Sequence, residues 1–393
     1  MNVPLFISRR IRYKGRVVVT VVAVSFLVMI IAVAVSSGFR REIHQGISSV
    51  SGDIQLTLPS MNYLDEDSPV ASDQSWMAPV EAVEGVSSVD PVVYRAGIVK
   101  ESEDIYGVVV KGVENPEWAH AGDSVALGVS IPSSLAEKSG LSRGDRLLTY
   151  FVGEKVKVRQ FNITSIYDPP VKTDTRYLVY ADIDDMRRLN AWDDGQASLF
   201  EVTLNPDYRG EKSIGAITSE IGGIIHDKAS SQDDILVASS VRDRFPQIFD
   251  WLELIDFNVL FVLVLMIVVA GVNMISGLLI MLFENVSTIG MLKSIGMRNV
   301  DVARVFLNAS AALVLKGMLI GNALAAAFCM IQKSTHLLKL DPDNYFVSFV
   351  PVHLDLGAVL AADALAFAAI MILLLIPSLF IAKVDPAQTV RMK

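Results

Sequence analysis

Four long apolar segments interrupt the sequence, and each of them is long enough to cross a bilayer. A hydrocarbon core of about 30 Å requires about 20 residues of helix. The segments hold few charges and are rich in Val, Leu, Ile, Met and Ala, and they cover residues 17–38, 255–283, 305–331 and 356–382. This pattern predicts an α-helical membrane protein with four transmembrane helices.

Residues 1–16 interleave arginines with apolar side chains, which is typical of a helix lying on a membrane surface. The alternative is a cleaved signal peptide, since Ala32-Val33-Ala34 resembles a cleavage site. However, the apolar run of the first segment is longer than the core of a typical signal peptide. We therefore expect a retained first helix that is preceded by a cytoplasmic interfacial amphipathic helix over residues 1–16.

Basic residues gather at one end of the apolar segments. They are Arg9, Arg10, Arg12, Lys14 and Arg16 before the first segment, Lys293, Arg298 and Arg304 between the second and third, and Lys383, Arg391 and Lys393 after the fourth. Cytoplasmic loops of membrane proteins carry the excess of Lys and Arg. Both termini, residues 284–304 and the tail at 383–393 are therefore expected in the cytoplasm. Residues 39–254 and the loop at 332–355 are then expected on the outer side.

The polar stretch at 39–254 predicts a large extracytoplasmic α+β domain inserted between helices 1 and 2. Alternating or β-branched runs predict strands at 53–58, 92–100, 106–113, 146–151, 156–166 and 176–180. Helical spacing predicts helices at 182–189, 210–221 and 239–251. Turn signals at 112–116 and 204–206 indicate a discontinuous domain of residues 39–116 and 201–254, with an inserted subdomain at 117–200.

Composition and motifs exclude several classes of chemistry. The single cysteine, Cys329, rules out an intrachain disulfide and a cysteine-based zinc cluster. The net charge is −9 and acidic residues fill the polar middle, so we expect no nucleic-acid partner. No phosphate-binding loop and no zinc-binding H-E-x-x-H motif occurs in the sequence. We expect no catalytic, metal or cofactor site in this chain, and a membrane-anchored enzyme is the least favoured alternative.

The turn between the second and third segments predicts a short lever in the cytoplasm. Glu284 ends the second segment, and Ile289, Leu292 and Ile295 follow at helical spacing with Lys293 outside. Gly290 and Gly296 allow the chain to turn or to approach a partner closely. Such a segment, ending at Arg298, can pass motion between a cytoplasmic partner and the membrane. An ordinary interfacial loop remains the alternative.

Polar residues inside the apolar segments are the remaining candidates. Lys316 lies near the middle of the third segment, where a charge costs about 2.5–3.5 kcal/mol. It either faces the interior of the membrane protein as a functional residue, near Asn273 at similar depth, or makes a buried helix-to-helix bond. Asp363 lies nearer the outer end of the fourth segment, where water can reach it, and we interpret it as structural. Gly317 and Gly321 form a small-xxx-small pair that permits close helix packing.

The turn also resembles the E-x-x-x-E-I-G-x-L-K-A-x-G signature of the FtsX/MacB/Lol permeases, the type VII ABC transporters. The matching residues are Glu284, Ile289, Gly290, Leu292, Lys293 and Gly296, whereas Thr288 stands where the family has a second glutamate. The sequence from Pro377 to Arg391 is similar to the family's C-terminal pattern, which includes Asp-Pro. The resemblance implies that the matching residues, together with Arg298, contact a separate ABC ATPase, which binds the ATP and Mg.

Within this family, residues 345–354 and 134–147 are most similar to the lipoprotein-releasing LolC/LolE branch. That branch implies a bacterial inner-membrane complex of ATPases and two permeases, this chain with a second copy or a related subunit. The complex extracts lipoprotein substrates from the membrane lipid and passes them to a periplasmic carrier. The hairpin at 150–159 is shorter than the hook with which LolC recruits the carrier. The alternatives are an FtsX-like transmitter regulating cell-wall hydrolases and a MacB-like efflux permease, although MacB carries its own ATPase domain.

Overall fold

The computed structural model describes residues 15–59, 64, 68–101, 104–114, 116, 126–153, 155–169, 177–230, 233–341 and 345–378. Residues 1–14 of the predicted interfacial helix, the predicted tail at 383–393 and most of the Pro377–Arg391 similarity lie outside these residues. The chain divides into two compact units. The membrane unit comprises residues up to Arg41, Asp250–Leu340 and the chain from Ser348 onward, and the inserted domain comprises Glu42–Phe249 and Asp341–Val347.

Ten helices are numbered α1 to α10 in chain order within the described residues. They are α1 (Arg16–Ser51), α2 (Met77–Glu81), α3 (Ser133–Ser139), α4 (Ile183–Asn190), α5 (Glu211–Lys228), α6 (Val241–Arg244), α7 (Pro246–Glu284), α8 (Val286–Ser294), α9 (Asn299–Thr335) and α10 (Leu356–Ser378). A 3₁₀ turn covers Pro206–Tyr208. Four of the described helices, α1, α7, α9 and α10, are long and apolar enough to cross a membrane. These four contain the predicted apolar segments, apart from the last residues of the fourth, which lie outside the described part of the chain.

The membrane unit is a bundle whose core is formed by apolar side chains of α1, α7, α8, α9 and α10. The buried side chains include Val22, Phe26, Met274, Phe306 and Ile370. Helices in a bilayer gain little from the hydrophobic effect between themselves, so close packing at small residues matters more. A Cβ atom added to Gly277 of α7 would lie 2.8 Å from the Val18 side chain of α1, and one added to Gly271 would lie 2.5 Å from Leu373 of α10.

The strands of the inserted domain are numbered β1 to β11. They are β1 (Ile54–Thr57), β2 (Val70–Ala71), β3 (Val86–Glu101), β4 (Asp104–Val113), β5 (Gly128–Pro132), β6 (Arg146–Phe151), β7 (Lys157–Tyr167), β8 (Tyr177–Asp182), β9 (Gln196–Ala197), β10 (Leu199–Leu204) and β11 (Val237–Ser240). Nine of them form one mixed sheet in the order β11-β1-β10-β3-β4-β8-β5-β7-β6, and β2 pairs with β9.

The long strand β3 connects two parts of this sheet. Its first half pairs with β10, and its second half pairs with β4. It also pairs with β6 through Ile98↔Tyr150 and Val99↔Thr149. This pairing closes six strands into a barrel, in the order β3-β4-β8-β5-β7-β6. Closure leaves these six strands without a free edge along the closed part of the barrel.

The two larger apolar cores among the described residues of the inserted domain lie under the sheet. The barrel core contains Val99, Phe151 and Phe161 from strands and Leu135 and Met186 from α3 and α4. The second core packs β1 and β10 against α2 and α5. Helix α5 contributes one stripe at helical spacing, formed by Ile214, Ile217, Ile221 and Ile225.

The structure confirms the predicted fold class, four membrane helices with an α+β domain between the first and second. Strands were predicted at six places, and each place holds a strand (β1, β3, β4, β6, β7 and β8). The helix predicted at 239–251 is divided: β11 ends at Ser240, α6 covers Val241–Arg244, and α7 begins at Pro246. The predicted subdomain boundary at residue 117 does not separate the cores, since β3 and β4 pack into the barrel core. Strands β2, β5, β9, β10 and β11 were not predicted.

Candidate coupling site

Helix α8 lies between α7 and α9 and is held to the bundle by one buried face. Ile289 is fully buried in the bundle core, Gly290 is buried beside it, and Leu292 packs against the same core. The Asn285 side chain donates a hydrogen bond to the Met281 carbonyl (2.8 Å), and the Ile289 amide bonds to the Asn285 carbonyl (2.9 Å). The predicted lever is therefore a short helix attached to the bundle by Ile289.

The end of α8 depends on Gly296, whose φ of +91° lies in the region that L side chains avoid. The Gly296 amide bonds to the Lys293 carbonyl and the Met297 amide to the Leu292 carbonyl, both at 3.0 Å, and α9 begins after Arg298. Ile295, predicted on the inward face with Ile289, is instead 75% exposed. The prediction failed because α8 ends at Ser294, so the helical spacing stops one residue earlier.

The opposite face of α8 and the residues beside it combine apolar and polar side chains that are open to a partner. The exposed residues on α8 are Ser287, Thr288, Met291 and Ser294, and Glu284, Ile295 and Arg298 are exposed beside it. Met291 is 62% exposed, and Lys293 is half-buried. The seven residues predicted to couple to an ATPase lie on or beside α8. Ile289, Gly290 and Leu292 hold the helix to the bundle, and Gly296 forms the turn after it. Glu284, Lys293 and Arg298 are accessible to a partner.

The predicted intramembrane polar residues have separate environments. The Asn273 side chain of α7 donates to the Val18 carbonyl of α1 (3.2 Å). Asp363 of α10 is buried and accepts a hydrogen bond from the Asn322 side chain of α9 (2.6 Å), so it joins two helices. Lys316 lies on the exposed face of α9, and the described residues show no hydrogen bond or ion pair to its ammonium. Asn273 and Lys316 are therefore not brought together by a described contact.

Gly317 and Gly321 of α9 form a close contact with α1. A Cβ atom at Gly317 would lie 2.6 Å from the Val22 side chain, and one at Gly321 would lie 2.5 Å from the Ala23 carbonyl oxygen. Both distances are well below a van der Waals contact, so only glycine fits at these positions. The small-xxx-small pair accordingly sets the separation of α1 and α9.

The part of α1 near Gly38, still within the membrane unit, is held by the chain segment that precedes α10. The backbone of Pro351 crosses α1 at Gly38, where a Cβ atom would lie 2.4 Å from the Pro351 carbonyl oxygen. The Ser37 hydroxyl donates to the His353 carbonyl (2.6 Å), and the His353 amide donates to the Ala34 carbonyl (2.9 Å). Burial, and then the Arg41 guanidinium, lower the pKa of His353, so the neutral imidazole is favoured at this contact.

Sequence reasoning missed a buried ion pair in the inserted domain. Lys111 of β4 and Glu201 of β10 lie 2.6 Å apart, with side chains only 5% and 8% exposed. The Lys111 ammonium also donates to the Val50 carbonyl in the last turn of α1 (2.7 Å). A lysine and a glutamate within two otherwise apolar strands were the available signal.

These features define the class of the protein, four apolar helices with an inserted α+β domain and a short helix between the second and third spans. Residues 260–386 match the family model described as FtsX-like permease C-terminal. The chain therefore carries an FtsX-like permease domain and is similar to ABC transporter permeases of the FtsX/MacB/Lol type, which points to an inner-membrane protein. Such permeases imply a partner ATPase and permease subunits.

Two relatives extend the similarity over nearly the whole chain. The lipoprotein-releasing system transmembrane protein LolC of Neisseria meningitidis is 20% identical over 402 residues, 94% of this chain and 92% of that protein. The lipoprotein-releasing system transmembrane protein LolE of Haemophilus influenzae is 22% identical over 427 residues, 99% of both chains. Among solved structures, the periplasmic region of MacB from Actinobacillus actinomycetemcomitans shares 12% identity with a TM-score of 0.32, covering 52% of this chain and 95% of that one.

Proposed function

We infer that this chain couples ATP hydrolysis by a separate ATPase to the extraction of lipoproteins from the inner membrane, for sorting to the outer membrane. The observation that carries the proposal is the similarity to two lipoprotein-releasing transmembrane proteins, which extends through the inserted domain as well as the spans. The sequence contains no phosphate-binding loop, so ATP and Mg belong to the partner.

The exposed face of α8 supports contact with that ATPase. Met291 and Ile295 present apolar surface beside the charged Glu284 and Arg298. Apolar anchors with a polar rim are typical of protein interfaces. Because Ile289 fixes α8 to the bundle core, a displacement of α8 by the ATPase would be passed to the adjoining spans.

The spans and the inserted domain are suited to handle a lipid-anchored substrate. Helix α7 exposes a broad apolar surface that includes Phe257, Phe261 and Val268, and it suits membrane lipid, acyl chains or a second permease. A periplasmic carrier would meet the inserted domain. The β6–β7 hairpin pairs up to Phe151↔Lys157 and exposes Val152 and Val156 near its tip, although Glu154 lies outside the described residues.

The test is mass spectrometry of the proteins that co-purify with the tagged chain in mild detergent, followed by reconstitution in proteoliposomes. We expect an ATPase, a second permease subunit and lipoproteins, and ATP-dependent release of those lipoproteins from the reconstituted membrane. An ATPase accompanied by cell-wall hydrolases, without lipoprotein release, would favour an FtsX-like transmitter instead. Export of peptides or small molecules by the same preparation would favour a MacB-like permease.

A further inference from the structure

The Lys111–Glu201 pair belongs to a row of polar side chains that crosses one face of the large sheet. The polar row consists of Gln55, Glu201, Tyr94, Lys111 and Tyr180, one from each of β1, β10, β3, β4 and β8. The strand registers place them on one face, since Gln55 pairs with Glu201 and Lys111 pairs with both Tyr94 and Tyr180. Their neighbours in sequence, such as Ile54 and Val110, point to the apolar cores on the other face.

Hydrogen bonds satisfy both charges of the pair. Glu201 Oε1 accepts bonds from the Tyr94 hydroxyl (2.7 Å) and the Gln55 amide (3.2 Å), while Oε2 accepts from Lys111. Burial, and then the Glu201 carboxylate, raise the pKa of Tyr94 well above its usual value, so its hydroxyl keeps the proton that it donates. The Lys111 ammonium also lies 5.7 and 5.9 Å from the ring centres of Tyr94 and Tyr180.

Cations of the inserted domain meet the carbonyl groups at the end of α1. Lys111 donates to the Val50 carbonyl, and Arg244 donates to the Gly52 carbonyl (3.0 Å). The last carbonyls of a helix lack partners within the helix and carry partial negative charge, so cations stabilise them. Next to them, the fully buried Asp53 accepts a hydrogen bond from the Leu204 amide (2.8 Å). The last turn of α1 is therefore bonded to β4, and the two residues that follow it are bonded to β10 and to Arg244, the last residue of α6.

A buried ion pair is a poor source of stability, because apolar replacements of similar volume are often neutral or stabilising. Its bonds instead fix geometry, since a charged donor and acceptor tolerate few alternative partners in an apolar setting. Helix α1 ends at Ser51, so the Val50 carbonyl that accepts the bond from Lys111 moves with the last turn of this helix.

We propose that Lys111 and Glu201 are positioning residues of the transport cycle, which hold the last turn of α1 to the sheet so that the two move as one body. This inference deepens the proposed function. Its test by lipoprotein release rests on that function, whereas its test by distances does not. The pair acts through the backbone of α1, because Lys111 donates to the Val50 carbonyl.

The experiment measures a distance within the inserted domain of the complete complex. Spin labels are placed at exposed positions on α1 and α5 by Gln45→Cys and Glu220→Cys, in a Cys329→Ser background that removes the native thiol. When Lys111 and Glu201 are both present, we expect one narrow distribution of the distance between the labels at 45 and 220. This distribution should be the same without nucleotide and with ATP. In the double variant Lys111→Met with Glu201→Leu we expect a folded protein whose distribution is broad and changes with ATP. We expect its detached population to rise about tenfold or more, as loss of a charge-assisted bond implies.

A matched control is Lys157→Met. Lys157 also donates to a carbonyl in the last turn of a helix, Leu189 of α4, at 3.0 Å. Helix α4 lies wholly within the inserted domain, so this variant should leave the α1 to α5 distance unchanged. An unchanged, narrow distribution in the Lys111/Glu201 double variant would overturn the proposal. If that variant does not accumulate, Glu201→Gln keeps the shape of the side chain and is judged by the same distances.

The transport readout is the amount of lipoprotein released per ATP hydrolysed in proteoliposomes. We expect the complex with the double variant to hydrolyse ATP at a similar rate but to release about tenfold less lipoprotein per ATP. The complex with Lys157→Met should release as much lipoprotein per ATP as the unmutated complex. If the natural sequence itself releases no lipoprotein, the proposed function fails, and the spin-label distances still decide whether Lys111 and Glu201 hold α1. A release ratio that stays unchanged while the distances broaden would reject a role in transport.

Discussion

Gly38 is a position where the absence of a side chain lets two backbones touch. A Cβ atom at position 38 would lie only 2.4 Å from the carbonyl oxygen of Pro351. Neighbouring hydrogen bonds from Ser37 and to Ala34 hold the crossing segment in place, so the backbone has little freedom to withdraw. The contact ties α1 to the chain before α10 within the membrane unit.

We expect Gly38→Ala to destabilise the protein by about 1–3 kcal/mol, the usual cost of forcing extra volume into a packed contact. The measurement is thermal unfolding in detergent, with a fall in the midpoint. The matched control is Gly215→Ala in α5, another helical glycine, which has no atom within 4 Å of an added Cβ. Since alanine is the better helix former by about 0.5–1 kcal/mol, the control should be neutral or stabilising. Equal midpoints for the two variants would show that the Pro351 crossing yields easily.

Single residues were the hardest feature to predict from the sequence. Gly317 and Gly321 could be identified because their spacing alone indicates a helix contact. Gly38 and Lys111 could not, since their partners Pro351 and Glu201 are distant in sequence and are brought close by the fold. The placement of Asp363 beside Asn322 was missed for the same reason, because two helices decide it.

Among the elements, α8 was predicted well in position and less well in orientation. The sequence indicated an apolar face of Ile289, Leu292 and Ile295, and the structure buries the first, partly buries the second and exposes the third. Periodicity gives the face of a helix only while the helix continues, and α8 ends at Ser294. Strand β10 was overlooked because Glu201 interrupts its apolar run, which is the consequence of a buried ion pair.

For α8 we predict that Ile295→Glu weakens the co-purification of the partner ATPase about tenfold or more, since apolar anchors of an interface typically contribute this much. Quantitative mass spectrometry of the purified complex measures the ratio of the two proteins. Ile235→Glu serves as the control, because Ile235 is similarly exposed (62% against 75%) but lies on the inserted domain. Retention of the ATPase by Ile295→Glu together with Met291→Glu would place the ATPase contact elsewhere.

At the scale of the whole molecule, we predict the orientation that the basic flanks indicate. In a Cys329→Ser background, a membrane-impermeant maleimide should label Ile235→Cys in intact spheroplasts. It should label Ile295→Cys only after lysis, because this residue follows α8 on the predicted cytoplasmic side. Both residues are exposed, so a difference in labelling reports the side of the membrane rather than burial. The reverse result would contradict the assignment of the basic flanks to the cytoplasm.

The architecture of the whole molecule was the most predictable level. Length and hydropathy alone indicate four spans, and the polar stretch between the first two indicates one inserted domain. The closure of the barrel was beyond sequence reasoning, because it depends on the second half of the long strand β3 pairing with both β4 and β6. A strand whose residues pack into two apolar cores has no pattern of apolar and polar positions that distinguishes it in the sequence.

The position of β1 in the sheet has a consequence for the order of events during synthesis. Ile54 of β1 leaves the ribosome soon after α1, yet its pairing partners are Val202 and Ser240. At about 5–20 residues per second, β1 waits on the order of ten seconds or longer before the last partner exists. During that time its backbone donors and acceptors on both sides are available to wrong partners. Because β11 is followed almost at once by α7, completion of the sheet and insertion of the second span fall into the same short interval.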